Sequence, residues 1–155
     1  MSGLDAFEIG RRHDLGTHTF TPEDIIRFAR QFDPQPFHID AEAARKSMFG
    51  ALCASGWHTT AVWMKKNLEF RDAWHEELKA KGKSPPQMGP SPGFRNLQWH
   101  KPVYAGDTIQ FFNTYRSARQ RKQKPEWGIV ESHSEGFNQN SEQVISFDSA
   151  VLVRI

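Results

Sequence analysis

A single cysteine, Cys53, is all the thiol chemistry this chain has. No disulfide can form within it, and a reducing cytoplasm is the expected location. Charge of one sign is missing too. Twenty basic residues are nearly matched by eighteen acidic ones, a net charge of +2, so there is no global field for nucleic acid. Long hydrophobic runs are absent as well. The most apolar stretch, residues 51–64, is interrupted by Ser55, His58, Thr59 and Thr60, so no bilayer-spanning helix is expected. The opening MSGLDAFEIGRRHD lacks an apolar signal core, which argues against secretion. Seven histidines are present, yet no HExxH, His-x-His or Cys-x-x-Cys spacing occurs, and no metal site is expected.

What remains is an ordinary globular composition, 37% hydrophobic and 25% charged, over 155 residues. That length suits one domain with one core, residues 1–155. Residues 7–20 read as an irregular arm or weak strand. A helix start follows at TPED: Thr21 caps, Pro22 takes the first helical position and Asp24 stands where a capping-box acid belongs. Ile25, Phe28, Ala29 and Phe32 recur on one face, and Pro34 ends the helix near Phe32. A short helix is expected in DAEAARKSM and a longer one from about Ser55. In the latter Trp57, Ala61, Met64 and Leu68 share a face that Val62 and Trp63 widen, predicting a largely buried helix. The run 71–83 either extends it or forms a second, exposed helix. SPPQMGPSPG is a loop. Beyond it, alternation in FRNLQWHKPV, TIQFFNTYRS, EWGIVESHSEGF and EQVISFDSAVLVRI predicts a meander of strands. Helices followed by antiparallel strands define an α+β class, and a sheet wrapped round one buried helix is a hot-dog-like arrangement.

The stretch FDPQPFHID, from Phe32 to Asp40, carries chemistry. Its prolines predict a stiff, extended link between Asp33 and His38. Asp33 lies at a helix C-terminus, where the helix dipole opposes ionisation and raises a carboxyl toward the range useful for proton transfer. Imidazole, the side chain of His38, can both accept and donate a proton in catalysis. An acid and a histidine held together can share one water. The alternative is plain: Asp-Pro forms turns, and His38 can simply cap the next helix. Gly56, at the start of the long helix, offers free N–H groups that can hold a negative oxygen, or merely permits close packing with Ser55 as the cap.

FARQFDPQPFHIDAEAA resembles the hydratase motif of the MaoC-like family of (R)-specific enoyl-thioester hydratases and dehydratases. Asp33, Pro36, His38 and Ala44 fall in matching places. ASGWHT resembles the family's His-Gly segment at the head of the central hot-dog helix, and WHKPVYAGDT its Pro-Val…Gly-Asp turn. The resemblance runs from about Thr17 to the C-terminus. It implies that Asp33 and His38 activate a water for syn addition to a trans-2-enoyl thioester, or the reverse dehydration. It implies an oxyanion and substrate-binding site at Gly56, flanked by Ser55 and Trp57, with Phe32 and Gln35 in the pocket. No metal or redox cofactor is needed, coenzyme A or acyl carrier protein being the substrate's handle, and a homodimer joined at the sheet edges is implied. The sequence departs from the motif at Phe32 (glycine), Gln35 (asparagine), Phe37 (aliphatic) and Ser55 (histidine).

Two other classes stay open: a thioesterase on the same architecture, and a non-catalytic acyl-thioester-binding subunit, which Phe32 favours. RSARQRKQK, with five basic residues in nine, is read as a solvated hairpin tip or as an attractor of coenzyme A phosphates or an acidic carrier. Nucleic-acid binding is not expected. Cys53 lies near Ser55 and His58 without a nucleophile-elbow pattern, so packing is its expected role. Trp57, Trp63, Trp74 and Trp99 are expected in the core, with some lining an acyl tunnel.

Overall fold

The computed structural model describes residues 3–155. A 3₁₀ turn at Gly3–Ala6 leads into β1 (Arg12–Thr19), where an irregular arm was the alternative expectation. Helix α1 (Pro22–Phe32) starts as predicted: the Asp24 N–H donates to Thr21 Oγ1 at 3.2 Å, with Pro22 in the first turn. The capping box does not close, because the Asp24 carboxylate pairs with Arg27. Ile25 and Ala29 are fully buried, whereas Phe32 is 62% exposed. Two short helices follow, α2 (Pro36–Ile39) and α3 (Ala41–Arg45), the second capped by Asp40, which accepts from the Glu42 and Ala43 N–H groups.

The sheet comprises β2 (Gln87–Met88), β3 (Gly93–Trp99), β4 (Thr108–Gln120), β5 (Trp127–Phe137) and β6 (Gln143–Arg154) besides β1. All pairings are antiparallel, in the order β1-β4-β5-β6-β2, with β3 also paired to β6. β1 and β3 thus lie at opposite sides. Gly106, with φ of +91°, makes the predicted turn before β4.

Helix α4 (Gly56–Ala80) is one continuous element of 25 residues, so the polar run at 71–80 extends the helix. The sheet curls round it and the core lies between them: Phe20, Ile25, Ile109, Phe111 and Ile145 are fully buried, and Val62 and Trp63 nearly so. This is the hot-dog arrangement. One expectation is overturned. The face of α4 that turns inward carries His58, Thr59, Val62 and Trp63. Trp57, Met64 and Leu68, expected to be buried, are 50%, 45% and 37% exposed, and Ala61 is exposed with them. The sheet covers α4 from one side only, so the rest of the wide apolar stripe stays uncovered in the single chain. β3, beside it, is exposed at every position but Leu97.

Candidate active site

Where α1 ends, its geometry hands over to the site. Asp33 is the C-cap of α1, its N–H donating to the Ala29 carbonyl. The link to His38 is not extended, contrary to the sequence expectation. Pro36 has the φ that suits a first helical position, so the chain turns at once into α2, with the His38 N–H bonding the Gln35 carbonyl at 2.9 Å and the Asp40 N–H bonding that of Pro36. This tight turn brings the two side chains together. Oδ2 of Asp33 lies 3.5 Å from Nε2 of His38, with the side chains 18% and 8% exposed.

The imidazole is fixed from its other side. Nδ1 of His38 donates to the backbone carbonyl of Cys53 at 2.6 Å, and the Phe37 ring packs edge-on at 4.6 Å. A proton on Nδ1 leaves Nε2 of the neutral ring as an acceptor facing the Asp33 carboxylate, also an acceptor. At 3.5 Å the two are too far apart for a strong direct bond, and a water donating one hydrogen to each satisfies both. Cys53 therefore neighbours His38. Burial pushes its thiol up to about 11, so it stays protonated, and besides the carbonyl its sulfur stands 3.8 Å from Nδ1 of His38. No side-chain signal in the sequence marks the carbonyl's role.

Asp33 differs from the expectation of a raised pKa. Burial acts to raise it, but hydrogen bonds from Ser55 and Gln35 and the neighbouring His38 outweigh burial, and the carboxyl sits below its ordinary value. Gln35 Nε2 donates to Oδ1 at 2.7 Å. Ser55 is fully buried and caps α4, accepting from the Trp57 N–H at 3.3 Å. Its hydroxyl holds the Trp57 N–H and acts on the Asp33 carboxyl to lower its pKa, so Ser55 links the acid to the helix start.

Gly56 is the first residue of α4, and its N–H has no intrahelical acceptor. A Cβ placed on it would stand 2.3 Å from Cδ2 of Trp99, so only glycine lets the indole lie against the helix start. Trp99 packs edge-on to Trp57 at 4.9 Å and donates from Nε1 to Thr60 Oγ1 at 3.2 Å. Both tryptophans are about half exposed, not core as expected, while Trp63 is buried and Trp74 packs on Phe7. Trp99 belongs to the site, and a lone aromatic on an edge strand gave no sequence signal of it.

These groups line one cavity of about 600 Å³, into which Asp33, His38, Ser55, Gly56, Trp57 and Trp99 all face. Phe32 and Gln35 line it too. Phe32 packs on Phe28 at its rim and leaves the dyad open to the cavity. Among the described residues, no group of three or more His, Cys, Asp or Glu side chains is placed to hold a metal ion, and no helix is long and apolar enough to cross a membrane.

An antiparallel sheet curled round one long helix is the hot-dog fold that MaoC-like and R-hydratase structures share. Residues 6–135 match the family description "MaoC like domain", and the chain belongs to the MaoC-like dehydratase family. It is similar to the uncharacterised protein YdeM of Bacillus subtilis, 29% identical over 151 residues that cover 97% of this chain and 98% of that one. Among solved structures, the MaoC-like dehydratase from Rhodospirillum rubrum superposes with a TM-score of 0.78 at 34% identity, covering 97% of this chain and 95% of that one. The unliganded R-hydratase PhaJ1 from Pseudomonas aeruginosa shares the fold, with a TM-score of 0.66 at 20% identity over 97% of this chain and 84% of that one.

Proposed function

We propose that the protein adds water across the double bond of a trans-2-enoyl thioester, or removes it from the 3-hydroxyacyl thioester in reverse. The observation that carries this reading is the Asp33–His38 pair, 3.5 Å apart, with the outer nitrogen of His38 committed to the Cys53 carbonyl. One water bonded to both acceptors is oriented with its oxygen lone pair free to attack C3. As the C–O bond forms, a proton passes to the dyad, and a proton is returned to C2 from the same side. The negative charge that develops on the thioester oxygen is met by the Gly56 N–H and the positive end of α4. Ser55 and Gln35 act as positioning residues for Asp33. The reaction so written needs neither metal nor redox cofactor, and coenzyme A or acyl carrier protein carries the acyl group.

A homodimer is part of this proposal. The uncovered stripe of Trp57, Ala61, Met64 and Leu68 lies beside an exposed edge strand, β3, and a second copy meeting both would extend the sheet and cover the stripe.

The test is incubation of the pure protein with crotonyl-CoA and longer enoyl-CoA thioesters. Loss of the conjugated thioester absorbance is the expected result. Release of free thiol instead would make the protein a thioesterase, and neither signal at any chain length would leave a binding subunit.

A further inference from the structure

A second cavity, of about 500 Å³, lies along the half-exposed stripe of α4 and the sheet beside it, where the second copy proposed above would close it over, and Trp57 lines both it and the dyad cavity. Its near part is apolar, walled by Trp63, Met64, Leu68 and Phe147. Its far part is not. On the inner face of the sheet, register places Tyr115 opposite Ser132 and Ser132 opposite Ser149, a hydroxyl-bearing row across β4, β5 and β6. Asn113 stands one pleat away, 3% exposed, with its Oδ1 accepting from Ser134 at 3.1 Å, which leaves its amide N–H groups for the cavity. A sheet face that elsewhere carries Ile109, Phe111 and Ile145 has turned polar here.

Facing the row from α4 is Arg71, partly buried, and its Nε is buried without a hydrogen-bond partner. No described carboxylate lies within ion-pair distance of it, and Tyr115 and His75 are within its electrostatic reach. A guanidinium held in a cavity with no counter-charge is a receptor for one, since its fork matches a carboxylate with two parallel bonds. Burial pushes the Tyr115 phenol up to about 12, so it is a protonated donor alongside. An apolar chain end placed here would strip water from these groups and give them no partner.

We propose that this cavity takes the distal end of the acyl chain and that the end it selects is a carboxylate, bound by Arg71 and the Tyr115 hydroxyl. From Gly56 to Arg71 the helix rises on the order of 22 Å, so the preferred chain is of medium length or longer. The inference rests on the thioester reading of the first cavity and adds the substrate class.

The test compares dodecanoyl-CoA with its ω-carboxy counterpart, dodecanedioyl-CoA. Neither can be hydrated, so binding is read alone, by quenching of tryptophan fluorescence. The ω-carboxy thioester should bind about tenfold or more tightly, the scale of one charge-assisted pair. Arg71→Met should abolish the preference and Arg71→Lys should keep part of it, with melting curves to confirm that each variant folds. Equal binding of the two by the wild type, or a preference that survives in Arg71→Met, overturns the proposal. Absence of hydration of every enoyl-CoA tried, short and long, with and without an ω-carboxylate, while the binding preference stays intact, would overturn the hydratase reading and leave this one standing.

Discussion

One imidazole is held from both sides. Nδ1 of His38 is bonded to the Cys53 carbonyl at 2.6 Å, while Nε2, across the ring, stands 3.5 Å from Asp33 Oδ2. The first contact sets the tautomer and the second leaves space for a shared water. Replacing either member should therefore remove turnover and leave the fold. Asp33→Asn and His38→Ala are expected to lower kcat by at least a hundredfold, the scale of a lost general acid or base. Steady-state hydration kinetics beside unchanged melting temperatures check this, and full activity in both variants would refute the assignment.

Ser55 should control the acid limb of the pH–rate profile. Asp33 lies below its ordinary pKa because hydrogen bonds and His38 outweigh its burial. Its ionised form therefore persists to more acid pH than an ordinary aspartate's. Ser55→Ala removes one of those bonds, so the limb of kcat/KM assigned to Asp33 should move to higher pH. A limb that stays in place, or moves lower, contradicts the link.

Gly56→Ala inserts a methyl where the Trp99 ring now lies. The indole must shift, and with it the cavity wall and its contact with Trp57. The expected outcome is a loss of kcat/KM on the order of a hundredfold, as for a misplaced reacting group. Trp99→Ala in the same chain should recover part of it. A double-mutant cycle in kcat/KM measures the coupling, and strict additivity would show that the two residues act apart.

His58 should set part of the acid stability. It is 7% exposed, stacked on Phe28 at 4.6 Å, and burial pushes its pKa down to about 4. The folded chain thus resists a proton that the unfolded chain accepts below about 6.5. Stability is unaffected by His58 above that pH and declines as pH falls from about 6.5 to about 4. His13, His18 and His75 are also lowered by burial and act in the same direction. The melting temperature of the wild type relative to that of His58→Leu should fall as the buffer becomes more acid. A difference that does not change over this range would exclude the mechanism.

The exposed α4 stripe predicts its own experiment. Met64→Lys with Leu68→Lys places two cations on a face that is 45% and 37% exposed at those positions in the single chain. The double variant should sediment as a monomer while the wild type sediments as a dimer. A monomeric wild type at micromolar concentration would remove the proposed interface.

Much of this was readable in advance. The cap at Thr21, the stop at Pro34, the long helix and the strand meander follow from local chemistry, and the paired acid and histidine are visible because proline fixes their neighbourhood. What the sequence hid was of two kinds. Periodicity finds an apolar stripe but cannot say which part of it the sheet covers, so Val62 and Trp63 turned inward while Met64 and Leu68 did not. Nor can it see groups that meet through tertiary structure. Trp99 reaches Gly56 from 43 residues away in sequence, and Ser55, from a separate element, joins Gln35 and His38 in reversing the expected shift of Asp33.

The anchor on His38 has a further consequence for mutation. A main-chain carbonyl does not depend on which side chain its residue bears, so a small apolar residue at position 53 keeps the bond that orients the ring and gives up only the sulfur's contact with Nδ1 at 3.8 Å. Mutational scanning there would register packing and the sulfur contact, and would leave the carbonyl's part unrecorded.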